Sequence, residues 1–389
     1  MIIPPKRGFE VSEYENRLNN IQKLMLESRM DAILLTTQVD IEYYTGFKTQ
    51  FFQSPTRPWY VLIPSSNKPK AIIPTIGESG MKETWLDDIQ TWTSPNPEDD
   101  GISLLLSAIK SLTKKYKCLG VPKSQESVLR MPLDDYENLV KSLDGIEIKD
   151  ANKILRQVRL IKSTAEIDKI KHICQLTSQG FTDLTHLLKA GESEHENCKR
   201  FKQHLLSLGV DDTPYMVAGS GKDGYGSIIM GPGDKIIEEG DLFIVDTGSV
   251  FDSYFCDFDR NYAFGFICDE AKKAYKVVFD ATDAGFNAAQ VGKTTSDVYH
   301  AMNNVMQKGG ALGNSVGRLG HGLGLQLTEW PSNTATDNTL LKPGVILTLE
   351  PGMEYLSGKE MVHEENIVIT ENGPEWLTKR APEELPIIQ

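Results

Sequence analysis

The chain has 389 residues, 40% of them hydrophobic and 24% charged, which fits a globular protein of more than one typical domain. Its 54 acidic residues outnumber its 41 basic ones and leave a net charge of −13, which argues against nucleic acid or an anionic membrane as the main partner. No apolar stretch approaches the roughly 20 residues that span a bilayer, MIIPPKRGFE lacks the apolar core of a signal peptide, and the five cysteines carry no paired motif. They read as free thiols of a reducing, cytoplasmic compartment.

Local signals then give the elements in order. Ser12 with Glu15 has the form of a capping box, and Leu18, Ile21, Leu24 and Met25 supply a helical stripe. AILLTT, WYVLIP and KAIIPTI follow as strands, and a helix is predicted over 102–115. SPNPEDDG is a surface loop. The alternation predicts an α/β domain over residues 1–155 and a second domain over 156–389. In the second, Ser163 with Glu166 and Ser193 with Glu196 open helices, carried on by Ile167, Ile170 and Cys174 and by Phe201 and Leu205. Gly209 ends the latter helix. Two more helices are predicted over 269–286 and 295–308. His172, His186, His195, His204 and His300 fall in helical segments without ligand spacing and read as structural.

Acids at the ends of apolar runs carry the chemistry. Leu242–Val245 runs into Asp246, Val345–Leu349 runs into Glu350, and Glu364 opens a strand at Ile367-Val368-Ile369. An ionised carboxylate in such a place is costly unless it is paired or holds a metal. Asp257 and His321 complete a set of four carboxylates and one imidazole. Oxygen and nitrogen donors of this hardness suit Mn, Co, Fe or Zn. Two dications would add about +4 charges and relieve the repulsion, and metal binding lowers the pKa of water to about 7 in favourable cases. Cys256, beside Asp257, has two readings: a metal thiolate or, more simply, a small buried strand residue. His363, next to Glu364, is expected on the opposite side of its strand.

The five contexts, VDTG, CDFDR, GHGLG, LEPGM and HEEN, resemble the signature of the creatinase, prolidase and methionine aminopeptidase superfamily. Asp257 follows Asp246 by 11 residues, His321 follows by 64, Glu350 by 29 and Glu364 by 14. This spacing is most similar to the Xaa-Pro dipeptidase and aminopeptidase P branch, as are YENRLNNIQKLMLESRMDAILLTTQVDIEYYTGF and LIKSTAEIDKIKHICQLT. The resemblance implies an α+β protein: a pita-bread catalytic domain with a pseudo-twofold repeat of helices on a curved antiparallel sheet, after a creatinase-like α/β N-terminal domain. It implies two divalent ions, Mn among them. Asp246 and His321 would each hold one, Asp257 and Glu364 would bridge, and Glu350 would share the metal of His321 and shuttle a proton. A hydroxide bridging the metals would attack the amide carbonyl. Gly320 and Gly322 would let the backbone pass close to the site. Arg260 would steady a metal carboxylate, and Asp259, in place of a usual hydroxyl residue, would contact a cationic substrate or act as a structural acid. A homodimer is implied, in which Phe51, Phe52 and Arg57 help to select substrate, Arg57 by reading a carboxylate; the simpler reading is a surface loop with packed aromatics.

Two departures separate this chain from the peptide-cleaving relatives. They carry a histidine seven residues after the metal histidine, where this chain has Thr328, although Glu329 and Pro331 keep the flanking pattern. They carry another near the position of Ile229, and no histidine occurs between His204 and His300. Loss of such a donor costs about 3–4 kcal/mol of transition-state stabilisation, and Thr328 offers one hydrogen bond but no acid near neutral pH. Three functions are therefore open: an Xaa-Pro peptidase acting on short peptides, a hydrolase or lyase of a small nitrogenous or osmolyte-like molecule, and a binding protein without turnover.

Overall fold

The computed structural model describes residues 3–313 and 317–389. The chain divides into two compact units, Lys6–Arg159 and Leu160–Gln389, the latter joined by residues 3–5. The first is built on a mixed six-stranded sheet: β1 (Ala32–Leu35), β2 (Tyr60–Pro64), β3 (Lys70–Pro74), β4 (Asp88–Trp92), β5 (Cys118–Val121) and β6 (Glu147–Asp150). Their order is β4-β3-β2-β1-β5-β6. β1–β2 and β2–β3 are antiparallel, and the other three pairs are parallel. Every residue of β1 is buried, as a continuous apolar run requires when both faces of a sheet are covered. Helix α1 (Val11–Glu27) buries Tyr14, Leu18, Ile21 and Met25, a stripe at helical spacing.

Two local expectations fail in this unit. Ser12 does not cap α1; the helix begins at Val11, and the extended residue before it is Glu10. The Glu10 carbonyl takes the Glu13 amide at 3.0 Å, so Ser12 falls in the first turn. The helix expected over 102–115 ends at Leu112. There Thr113 leaves helical geometry, and its hydroxyl donates to the Ile109 carbonyl at 2.8 Å.

The second unit repeats one motif, a helix pair followed by antiparallel strands. α2 (Thr164–Leu184) and α3 (Glu194–Ser207) precede β7 (Asp212–Lys222), β8 (Asp241–Phe251), β9 (Tyr254–Phe255) and β10 (Phe258–Phe264). α4 (Asp269–Ala288) and α5 (Thr295–Lys308) precede β11 (His321–Gly322), β12 (Glu329–Ser332), β13 (Ile346–Leu349), β14 (Gly352–Leu356), β15 (Lys359–Val362), β16 (Glu365–Thr370) and β17 (Gly373–Trp376). A short β18 (Ile387–Ile388) closes the first sheet beside β10. The sheets run β18-β10-β8-β7 and β12-β11-β13-β16-β17.

Both serine capping boxes of this unit are present. His186 lies in a turn just beyond α2 rather than inside a helix. One core joins the two halves: Leu242 and Ile244 from β8, Val278 from α4, Met302 from α5, Leu347 from β13 and Ile367 from β16. Each such side chain contributes about 1.5–3 kcal/mol by leaving water, which holds the strands that carry and flank the acids.

Candidate metal centre

The five ligand candidates come from strands and strand ends of both halves. Asp246 is in β8, Asp257 immediately precedes β10, His321 opens β11, Glu350 immediately follows β13 and Glu364 immediately precedes β16. Donor atoms of Asp257, His321 and Glu364 lie within 4.8 Å of one another, and all three residues are buried. Asp246 and Glu350 are half-buried. They act electrostatically on Asp257 and Glu364, as the proton affinities below show.

The imidazole is oriented by its own backbone. Nδ1 of His321 is 2.9 Å from the Gly322 carbonyl, which can only accept, so Nδ1 carries the hydrogen. Nε2 then presents a lone pair, 3.4 Å from Oδ2 of Asp257. Burial, first, and the nearby Arg318 charge lower the pKa of His321 to about 4, so the ring is neutral at physiological pH. Two acceptors facing each other repel unless a cation lies between them. Glycines permit the approach: a Cβ at Gly320 would strike the Thr348 carbonyl, and one at Gly322 would lie 2.5 Å from the Trp330 carbonyl. Gly320 also holds a φ of +123°, open to glycine but strained for other residues.

The carboxylates show the same demand. Burial pushes Asp246 up to about 7, against the pull of the Tyr215 hydroxyl and the Thr247 amide. Burial and then Asp246 push Glu350 up to about 7, with Arg318 opposing. Asp257 is raised well above its ordinary value by burial, then by Asp246 and Glu350. Glu364 is raised likewise by burial, then by Asp257, Glu350 and Asp246. Oδ1 of Asp246 and Oε1 of Glu364 are buried without a hydrogen-bond partner. Crowded acids, orphaned oxygens and a neutral imidazole fit divalent cations, whose charge would reverse each upward shift.

A supporting layer fixes the donors. The Asn366 side chain grips Asp257 at both ends of its peptide unit: Oδ1 accepts from the Asp257 amide at 3.0 Å, and Nδ2 donates to the Asp257 carbonyl. Thr348 Oγ1 accepts from the His321 amide at 3.1 Å. Among the described residues Arg260 makes no hydrogen bond to the side chains of the four candidate carboxylates, where the sequence expectation put it. Its Nη1 donates to the main-chain oxygen of Glu364 at 3.2 Å and its Nη2 to Glu365 at 3.1 Å. It therefore fixes backbone rather than a ligand oxygen. His363 is buried and faces Arg380, whose Nη1 donates to Nε2 at 2.7 Å. Cys256 gives its thiol hydrogen to Thr177 at 3.3 Å, which supports the packing reading over the thiolate one.

The remaining sequence candidates lie differently. Thr328 is exposed, and its hydroxyl meets Nη2 of Arg318 at 3.5 Å. Ile229 points to solvent with 80% of its surface exposed. Arg57 belongs to the first unit, where its guanidinium lies 5.7 Å from the centre of the Phe51 ring. Its residue adopts φ +61°, and its Nε is buried without a partner. Glu329 is buried, with Lys162 Nζ at 3.1 Å from its carboxylate.

Sequence reasoning passed over Arg318, Asn366 and Tyr215. Arg318 is the single lysine or arginine between Lys308 and Lys342, three positions before His321, and that isolation was a readable signal. Asn366 and Tyr215 gave none, because their roles depend on strand pairing.

These features make up a buried candidate metal centre of oxygen and nitrogen donors on an α+β scaffold. The sequence matches metallopeptidase family M24 over residues 168–371 and the creatinase/prolidase N-terminal domain over residues 17–161. The chain belongs to metallopeptidase family M24, and the fold is its pita-bread domain preceded by the creatinase-type domain. An Xaa-Pro dipeptidase of Pyrococcus horikoshii is 25% identical over 367 residues, covering 93% of this chain and 97% of that protein. An uncharacterized peptidase of Bacillus subtilis is 26% identical over 379 residues, covering 96% of this chain and 100% of that protein. Among solved structures, a prolidase from Thermococcus sibiricus superposes with a TM-score of 0.87 at 23% identity, covering 98% of this chain and 100% of that one.

Proposed function

We propose that this M24 metallopeptidase is a dinuclear enzyme that hydrolyses Xaa-Pro dipeptides, with Asp246, Asp257, His321, Glu350 and Glu364 as its metal ligands. The observation that carries the reading is the buried Asp257–His321–Glu364 cluster within 4.8 Å, in a chain aligned with an Xaa-Pro dipeptidase over nearly its whole length. Two divalent cations, of Mn, Co, Fe or Zn, would supply Lewis acidity toward the amide carbonyl and acidify the attacking water. The chain's own residues do the rest. Neutral His321 offers Nε2 as a donor, held by the Gly322 carbonyl. Glu350, half-buried, would take the proton of the attacking water and return it to the leaving nitrogen. Arg318 faces the same acids and has no carboxylate partner among the described residues, so it is free to read the C-terminal carboxylate of a dipeptide. Thr328, in contact with Arg318, would position that guanidinium rather than the scissile bond. The proposal includes a homodimer, which light scattering would test.

A second reading is supported by the places of Thr328 and Ile229. Neither is an imidazole, and Ile229 faces solvent, so the site has fewer neutral-pH donors than peptide cleavage ordinarily employs. A smaller nitrogenous substrate would need fewer. The deciding experiment is hydrolysis of Xaa-Pro dipeptides and Xaa-Pro-initiated tripeptides by Mn-loaded protein, with a chelated control. Chelator-sensitive dipeptide cleavage is expected. Protein shown to carry its metals that cleaves none of them would replace the peptidase reading with the small-molecule one.

A further inference from the structure

The residue directly across the sheet from Asp246 is another acid. β10 runs antiparallel to β8, and its register sets Asp259 opposite Asp246. Residues so opposed project from the same face, with Cβ atoms about 4.5–5.5 Å apart, and like charges there are destabilising. Both side chains keep a buried oxygen, Oδ1 in each, without any hydrogen-bond partner. Asp259 is only 1% exposed, so water does not solvate it.

The hydrogen bonds of the neighbouring cation go to other partners. Arg260 follows Asp259 and so points to the other face of the strand. Its guanidinium is spent on the carbonyls of Asp259, Glu364 and Lys379 and on the carboxylate of Glu365. A buried carboxylate with an unpartnered oxygen persists where a cation is to be bound or where its charge is otherwise neutralised. The partner of Asp259 across the ladder is itself a ligand in the proposed metal centre, which supplies the cation.

We propose that Asp259 is a sixth donor, adding a fifth carboxylate to the set and a hard oxygen to the metal held by Asp246. The inference rests on the dinuclear reading above and deepens it by naming the metal class. An added carboxylate raises the coordination number on that side. Zn(II) favours four ligands, whereas all-oxygen surroundings of higher number suit Mn(II). The site selects Mn(II) by donor count.

The test is metal binding to the full-length chain, stripped by chelation and then titrated calorimetrically with Mn(II) or Zn(II). Bound metal is counted by elemental analysis. Wild type is compared with Asp259→Asn, which keeps the shape, and Asp259→Thr, which keeps a neutral polar group; circular dichroism checks the fold of each. Both variants are expected to bind Mn(II) at one site about 10–100-fold more weakly, with Zn(II) affinity changed far less. Mn(II) affinity within about threefold of wild type in a folded variant would overturn the proposal, as would equal losses for both metals. A wild-type chain that takes up neither metal would instead refute the dinuclear reading itself.

Discussion

Arg260 and Glu365 form a buried ion pair, with Nη2 3.1 Å from Oε2. The same guanidinium holds the main-chain oxygen of Glu364 at 3.2 Å, so one side chain fixes the backbone of a candidate ligand and its own counter-ion. Glu365 also accepts from Arg380 at 3.1 Å, from the Ala381 amide at 3.0 Å and from the Thr378 hydroxyl. Burial pushes the Glu365 carboxyl up, but Arg260, His363 and Arg380 outweigh it and hold the group well below the usual carboxylate range.

Glu365→Gln is therefore expected to destabilise the catalytic unit by about 3–5 kcal/mol at neutral pH, because it leaves buried guanidinium charge uncompensated. The sign of the pH dependence follows from the depressed pKa. Stability from Glu365 is present above the unfolded value near 4.5 and is lost as pH falls toward the folded value. Denaturant titrations of wild type and variant should diverge most at neutral pH and converge in acid. Curves separated equally at every pH would contradict the assignment.

Much of this architecture was legible because its signals are local. Ser163 with Glu166 and Ser193 with Glu196 formed the capping boxes that their spacing announced. The apolar runs before Asp246 and Glu350 became buried strands, although β8 runs on through Asp246 to Phe251. Ser12 misled because a three-residue spacing does not decide which residue before a helix takes the extended backbone; Glu10 took it. Asn366 and Asp259 were beyond reach for a different reason. Asn366 grips a residue 109 positions away, and Asp259 faces Asp246 only through the register of β8 and β10. Cross-strand register is a long-range property, and nothing in the local pattern encodes it. Arg260 shows the limit of motif matching: the residue is where the motif places it, but its guanidinium turns to backbone oxygens.

Metal removal should cost stability in a pH-dependent way. Asp246 and Glu350 are each pushed up to about 7 by burial, with mutual repulsion added for Glu350. A carboxyl whose folded pKa is raised contributes stability below its unfolded value, and that stability is lost as pH rises through the folded one. The stripped protein is thus expected to weaken between about pH 4 and about pH 7, whereas the loaded protein keeps its acids ionised and paired. One site at a hundredfold excess over Kd contributes about 2.7 kcal/mol, or roughly 5–10 °C in Tm for a unit of this size. Thermal scans with and without chelator should show a gap in Tm that widens from mildly acidic to mildly alkaline buffer. A gap that narrows with rising pH would mean that the raised carboxyls are not those the metal pairs.

Arg318 yields a prediction about specificity. Its charge lowers the proton affinity of Asp257 and Glu350, and it is half-buried at the edge of the site. If it reads the carboxylate of a dipeptide, Arg318→Ala should raise KM about 10–100-fold, the equivalent of about 1.5–3 kcal/mol for a hydrogen bond to a charged group. Arg318→Lys should restore part of the loss, since an ammonium keeps the charge but not the fork. Substrates with an amidated C-terminus should erase the difference between wild type and variant. An unchanged KM with a lowered kcat would move Arg318 from substrate binding to stabilisation of the developing oxyanion.

Glu350 carries the sharpest prediction, because the two duties proposed for it separate on substitution. As a ligand it offers oxygen; as a proton carrier it needs a titratable group. Glu350→Gln keeps a carbonyl oxygen in place and removes the proton acceptor, so kcat should fall by about 10²–10⁴. Elemental analysis of the same sample reports whether the metals stay. Retained metal with lost turnover assigns proton transfer to Glu350. Lost metal with lost turnover assigns it mainly to holding the cation shared with His321. Full activity in the variant would place the catalytic proton on another group, and Asp246, half-buried and also raised to about 7, would be the next residue to substitute.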